Sequence, residues 1–241
     1  MDYLSEIKYD GLGREDRYPY CIPAVRYLHK TGKLPFSKPV TFFVGENGTG
    51  KSTLLEAIAV ACGFNPEGGS RDFFFSTRDT HSELGEHISV VRRAYPKDGF
   101  FLRAESFYNT ASYLDDTSLL IRYGGVSFHR QSHGESFLAL AENRFEGHGI
   151  YLLDEPEAAL SPRRLMELLI LIDGLVKKDS QFIIATHSPI VMAYPDSEIL
   201  QFDEEGIRPV AYRETDHYEI TKQFIDRPEK MVQYLLNDPG D

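Results

Sequence analysis

VTFFVGENGTGKS, residues 40–52, is the stretch on which the fold turns. Val40–Val44 is a run of β-branched and aromatic residues, which predicts a buried strand. A glycine-rich turn follows. Beyond it Ser52–Cys62 places Leu55, Ile58, Ala59 and Cys62 on one helical face. The turn matches G-x-x-x-x-G-K-[ST], and it has the strand before it and the helix after it that this pattern requires. Glycines there let backbone N–H groups turn inward onto phosphate oxygens, and the helix N-terminus adds partial positive charge. Lys51 can reach β- and γ-phosphates, and the Ser52 hydroxyl can ligate Mg²⁺. The candidate cradle is Gly45, Glu46, Asn47, Gly48, Thr49, Gly50, Lys51, Ser52 and Thr53, with Lys51 also a candidate catalytic group. The plainer alternative is an ordinary glycine turn between a strand and a helix.

Two further strand ends carry polar residues. Ile150–Leu153 is apolar, and Asp154 and Glu155 emerge after it, with Pro156 stopping the strand. Open α/β sheets bind ligands at that end of a strand. Asp154 is the second candidate Mg²⁺ ligand, and Glu155 the candidate base that orients and deprotonates an attacking water. Read alone, the pair is a solvated acidic turn. Gln181–Ala185 is another buried strand, followed by Thr186, His187, Ser188 and Pro189. His187 is a candidate γ-phosphate contact that positions the water; a structural histidine at a strand end is the alternative.

Outward from these segments the chain alternates strands and helices. His87–Ala94 and Gly99–Ala104 read as strands, and Pro162–Lys178 as a helix with Ser161 at its N-cap and Pro162 in its first turn. Glu198–Phe202 and Ile207–Tyr212 read as a hairpin, and Thr215–Asn237 as one or two terminal helices. Residues 1–39 read as irregular with short strands, 63–85 as a loop, and 105–146 as mostly helical with a Gly-Gly break at 124–125. The predicted class is α/β with a largely parallel central sheet.

Composition narrows the function. The chain has 241 residues, 41% apolar and 12% aromatic, which suits a folded globular protein and not a disordered one. A net charge of −11 argues against broad, non-specific nucleic-acid binding, though a local basic patch stays open. No apolar run is long enough for a membrane span, and the start MDYLSEIKYD lacks the apolar core of a secretory signal. Cys21 and Cys62 show no metal or disulfide spacing, so a reduced, cytoplasmic setting is expected.

Taken in order, GENGTGKS, QSHGES, IYLLDEP, EAALS and THS resemble the motifs of ATP-binding-cassette (ABC-type) ATPases. The likeness is to transporter-free forms: the RecF, SMC and OLD-like ATPases, and small stand-alone bacterial AAA-family ATPases. It covers nearly the whole chain. It implies a P-loop NTPase fold of ABC type: a largely parallel sheet flanked by helices, an antiparallel β portion and a small helical signature subdomain. In a single domain of residues 1–241, positions 1–104 and 147–241 are then the nucleotide-binding core, and 105–146 the insert. The resemblance implies ATP and Mg²⁺ as ligands. It also implies a head-to-tail homodimer in which Ser132, Gly134 and Glu135 of one protomer meet the γ-phosphate held by the other.

The signature is divergent, with Gln131 and His133 where Leu and Gly are usual; S-x-x-E here also reads as a helix capping box. After Pro156, Glu157-Ala158-Ala159-Leu160-Ser161 lacks the aspartate that usually ends this loop. The glutamine expected after the 99–104 strand is missing, and Glu105 is its positional substitute as a third metal-site candidate. Tyr18 and Tyr20 are candidates for stacking on adenine. Arg71, Arg78, Arg92 and Arg93 are candidate phosphate or partner contacts, with solvated surface the blander reading. The interval from Lys51 to Ser132 holds no sustained heptads, so coiled-coil arms are not expected, and the residues after His187 are too few for a Toprim nuclease. The function implied is an ATP-hydrolysing switch acting on an unknown protein partner. A DNA-repair or anti-phage defence ATPase and a transporter's cytoplasmic motor are the alternatives.

Overall fold

A strand with no polar face must be covered on both sides, and three apolar runs of this chain impose that arrangement. The structure is a computed structural model, and it describes residues 3–11, 17–70, 82–104 and 133–237. The strands are β1 (Leu4–Tyr9), β2 (Lys33–Pro35), β3 (Val40–Gly45), β4 (Ile88–Arg92), β5 (Asp98–Arg103), β6 (Gly149–Asp154), β7 (Gln181–Ala185), β8 (Glu198–Asp203) and β9 (Gly206–Pro209). The helices are α1 (Pro23–Thr31), α2 (Lys51–Ala61), α3 (His133–Arg144), α4 (Pro162–Val176), α5 (Pro189–Met192), α6 (Asp216–Asp226) and α7 (Pro228–Leu236). Every residue of β3, β6 and β7 is buried.

The six-stranded sheet runs in the order β5-β6-β7-β3-β8-β9. It is parallel from β5 to β8, with β9 returning antiparallel beside β8. Alternation along each strand sorts side chains onto two faces. Phe42, Tyr151, Leu153, Phe182 and Ile184 face one layer, which holds Phe137 and Leu140 of α3 and Leu165, Leu168 and Ile172 of α4. Phe43, Leu152, Ile183 and Ala185 face the other, which holds Val25 and Leu28 of α1, Leu54 and Ile58 of α2, and Leu4 and Ile7 of β1. That second layer is closed by an antiparallel sheet ordered β2-β1-β4. Gln181 ties it to the parallel sheet: its Oε1 accepts from Leu4 N and its Nε2 donates to Leu4 O, each at 2.8 Å.

The parallel α/β class is as predicted. Helix α1 corrects the reading of residues 1–39 as irregular. Its signals are Pro23 in the first turn and Gly32 in the left-handed conformation closing the end, with Ala24, Val25 and Leu28 buried. Burial on α2 is also wider than one face, because Leu54 and Ala57 join Leu55, Ile58 and Ala59. A 3-10 turn at Glu83–Glu86 begins in the stretch read as loop and ends one residue beyond it, and a Cβ on its Gly85 would come within 2.8 Å of Val60 Cγ1 on α2. Of the stretch read as mostly helical at 105–146, the described part contains α3, and residues 105–132 lie outside the described residues.

Candidate nucleotide site

Register brings the three polar strand ends together. Phe43 of β3 and Asp154 of β6 both pair with Ala185 of β7, so the segments leaving these strands start from one edge of the sheet. Backbone bonds lock this edge: Glu155 N donates to Ala185 O at 2.9 Å, and Thr186 N to Phe43 O at 3.1 Å.

The glycine turn is built by backbone geometry that other residues resist. Gly45 has φ 135°, and a Cβ there would lie 2.1 Å from Phe202 O. Gly50 has φ 102°, and its Cβ would meet Ile22 Cδ1 at 2.8 Å. The turn thus wraps tightly against β8 and the start of α1. Thr49 Oγ1 donates to Glu46 O at 2.9 Å, and Ala24 N to Thr49 O at 3.2 Å. Lys51 is 4% exposed and curls back to donate to Gly45 O at 2.7 Å and Glu46 O at 2.9 Å. Burial lowers its ammonium pKa, opposed by Glu155 and Asp154 nearby.

Ser52 and Asp154 are in direct contact, the hydroxyl donating to Asp154 Oδ1 at 2.9 Å. Asp154 is buried, and burial pushes its carboxyl up to about 6 against the opposing pull of Arg103. Arg103 Nε stands 3.4 Å from Asp154 Oδ2, while Arg103 Nη1 donates to Glu56 at 2.8 Å. A buried carboxylate with this little compensation, beside a hydroxyl, is a hard-oxygen pair that suits Mg²⁺.

Glu155 takes a left-handed backbone conformation, φ 50° and ψ 52°, which is uncommon for a non-glycine residue. Its Oε1 lies 3.7 Å from His187 Nε2. His187 Nε2 is buried with no hydrogen-bond partner among the described residues, while its Nδ1 meets His217 Nε2 at 2.8 Å. Burial first, then Lys51, lowers the His187 pKa.

The other expected residues fall as follows. Thr53 Oγ1 is 3.4 Å from the hydroxyl of Tyr18, which is 62% exposed. Tyr20 is buried and packs on His87, so it is a core residue with no face free for adenine. Gly134 lies against Ala159 O, where a Cβ would approach to 2.9 Å, and Glu135 pairs with Arg164 of α4 at 3.1 Å. Both sit with α3 in the layer opposite α2. Arg92 Nη2 donates to Ala61 O at 3.3 Å, a surface contact at the end of α2. Glu105, Ser132, Arg71 and Arg78 lie outside the described residues.

The chain is similar to several known ATP-binding proteins. The family described as "AAA domain" matches residues 24–110. A second, described as "AAA domain, putative AbiEii toxin, Type IV TA system", matches residues 126–193. The xylose import ATP-binding protein XylG of Moorella thermoacetica is 23% identical over 244 residues, covering 90% of this chain and 48% of that protein. The cytochrome c biogenesis ATP-binding export protein CcmA of Aliivibrio fischeri is 29% identical over 161 residues, covering 61% of this chain and 77% of that protein. The solved structure of cbiO1 from Clostridium perfringens, part of the ABC transporter complex cbiONQ, superposes with a TM-score of 0.52 at 18% identity over 98% of this chain and 99% of that one. The chain has the fold of ATP-binding-cassette P-loop domains, and its sequence is similar to ATP-binding proteins of that type. It spans about half the length of the xylose import protein it matches.

Three residues of this cassette were not legible as site residues. Glu157 reads as the start of a variant loop, yet its carboxylate accepts from Thr186 Oγ1 at 2.8 Å and from His187 N. Desolvation raises its pKa, and it acts as a half-buried brace beside the histidine. Arg103 and His217 also reach the site, from the end of β5 and the first turn of α6. No local motif marks either; the acids around Arg103 arrive from two other elements, Asp154 from β6, which pairs with β5, and Glu56 from α2.

Proposed function

We propose that this cassette binds Mg²⁺·ATP and hydrolyses it, with ATP held between two head-to-tail copies of the chain. The observation carrying this reading is the Ser52–Asp154 contact: two residues 102 positions apart meet at 2.9 Å. It joins the phosphate loop to the acidic strand end in one buried site.

Lys51 and the loop amides bind the β- and γ-phosphates, and the lysine exchanges its two carbonyl bonds for phosphate oxygens. Ser52 and Asp154 are the residues that hold Mg²⁺, which supplies charge neutralisation across the phosphates. Glu155 takes the proton from water and orients it for in-line attack. His187, whose Nε2 lacks a partner, donates to the γ-phosphate and keeps the water in line. Exclusion of water by a second copy strengthens each of these contacts. Gly134 and Glu135 lie in the layer opposite α2, which supports contact with a neighbour's nucleotide, and Ser132 belongs to the same stretch. Glu105 is proposed as an outer contact of the metal site. Hydrolysis would reopen the dimer and signal to a protein partner whose identity is unknown.

Transport is the second reading, favoured by the import and export names of the curated relatives. No described helix is long and apolar enough to cross a membrane. Nucleic acid as the effector, in repair or defence, is disfavoured by the −11 charge.

The test is light-scattering mass of Glu155→Gln protein with and without Mg²⁺·ATP, with DNA and RNA in parallel. A mass that doubles with ATP, and fails to do so when Lys51→Ala is added, supports the composite site. An unchanged mass at saturating ATP rejects it. Co-elution with DNA or RNA would move nucleic acid to first place among the effectors.

A further inference from the structure

His187 and His217 meet ring to ring, Nδ1 to Nε2 at 2.8 Å, with centroids 5.0 Å apart and planes inclined by 60°. His217 is held there firmly. It sits in the first turn of α6, whose N-cap Thr215 is fully buried and accepts from Tyr218 N. Thr215 Oγ1 donates to Tyr212 O at 2.8 Å, and Tyr212 in turn donates its hydroxyl to Pro189 O at 2.9 Å. The imidazole is therefore tied to the segment that follows His187 itself.

Burial and the Lys51 charge lower both histidines, so near neutrality the pair is uncharged and a single proton occupies the contact. Two arrangements are available. If His187 Nδ1–H donates, His187 Nε2 presents a lone pair to the Glu155 carboxylate at 3.7 Å, and His217 Nδ1–H is buried without an acceptor. If His217 Nε2–H donates, His187 Nε2–H faces that carboxylate, and the bare nitrogen of His217 Nδ1 lies at the positive end of α6. The Glu155 carboxylate at 3.7 Å, the α6 N-terminus and the avoidance of a buried N–H without an acceptor favour the second, against the Lys51 charge near His187 and the acids Glu46 and Asp216 near His217.

We propose that His217 is a positioning residue that donates its Nε2–H to His187 Nδ1, fixing His187 as the tautomer whose Nε2–H points at Glu155 and the phosphate edge of the site. A histidine that must donate to an anion needs its far nitrogen protonated, and the partner of the near nitrogen decides that. The inference deepens the hydrolysis reading and rests on it for its consequence, but the tautomer is a property of the nucleotide-free protein and can be read without any activity.

The experiment is ¹⁵N-imidazole NMR of the full chain labelled at histidine, with His187→Gln used to assign the resonances. Wild-type protein is expected to show His187 Nε2 protonated and Nδ1 bare and hydrogen-bonded. His217→Gln, whose amide N–H still donates, should keep that pattern. His217→Phe, which fills the space and donates nothing, should give a mixture of tautomers. In phosphate-release assays His217→Phe is expected to lower kcat about ten- to a hundredfold, with KM unchanged and rescue by His217→Gln; that is the scale on which histidine-orienting partners act. A wild-type His187 protonated at Nδ1 overturns the proposal even if His217→Phe does not fold. So does an unaltered tautomer in His217→Phe. Absence of hydrolysis in the wild type would remove the proposed function while leaving the NMR result to decide the tautomer.

Discussion

The sheet edge formed by β3, β6 and β7 and the helix pair α6–α7 contribute to one site by opposite means. At the sheet edge every strand residue is buried, and the candidate reacting groups are placed by register. The helix pair has no buried residue in either helix and exposes Ile225, Tyr234, Leu235 and Leu236. Yet α6 delivers His217 to His187 through one anchored turn. Rigidity at the sheet edge comes from the core, whereas in the helix pair it comes from a short chain of hydrogen bonds around Thr215. The contrast implies that stability and site geometry can be perturbed separately.

The largest expected effect is on the sheet. Phe42→Ala removes a fully buried ring beneath the phosphate loop and should cost about 3–5 kcal/mol, read as a lower urea midpoint at unaltered slope. A cost under about 1 kcal/mol would mean that this layer is not the rigid frame described.

Next comes the buried carboxylate. The folded pKa of Asp154 is raised to about 6, so the nucleotide-free fold favours its protonated form. Its ionisation therefore opposes folding above that value, and the penalty is relieved as pH falls from about 6 toward the ordinary carboxylate range. Asp154→Asn should consequently gain stability relative to wild type as pH rises from 4 to 8, by up to about 3 kcal/mol. Paired urea titrations across that range measure it, and a pH-independent difference would contradict it. The same proton competes with metal: Mg²⁺ affinity should fall about tenfold per pH unit below pH 6, read by calorimetric titration in the presence of ADP.

The smallest effect belongs to the helix pair. Ile225→Ser on the exposed face of α6 should change stability by no more than about 0.5 kcal/mol. A loss several times larger would show that this face is covered in solution.

The same contrast explains what could be read from sequence. The strands β3, β6 and β7 announce themselves because an all-apolar run ending in a polar residue has few other solutions, and Lys51, Ser52, Asp154, Glu155 and His187 follow from where those runs stop. Helix α1 was hidden although its Pro23 start and Gly32 stop were present, because the tyrosines and prolines around it, such as Tyr18, Pro19 and Tyr20, imitate irregular chain. Glu157 read only as the start of a variant loop because the groups its carboxylate holds, Thr186 and His187, arrive from another strand end. His217 was beyond reach, since its partner lies 30 residues away and nothing in DHYEITKQFID distinguishes it from a solvated helix start. Divergence at Gln131 and His133 leaves the signature as an expectation from motif order, not from geometry.

The claim that this sheet edge is a hydrolytic site is tested most directly by phosphate release from Mg²⁺·ATP by wild-type and Glu155→Gln protein, with the nucleotide still bound identified after rapid filtration. Release by the wild type is expected, with a rate about 10²–10⁴-fold lower for Glu155→Gln and intact ATP retained on that variant. Equal rates for the two proteins, or a Glu155→Gln protein that holds only ADP, would contradict it.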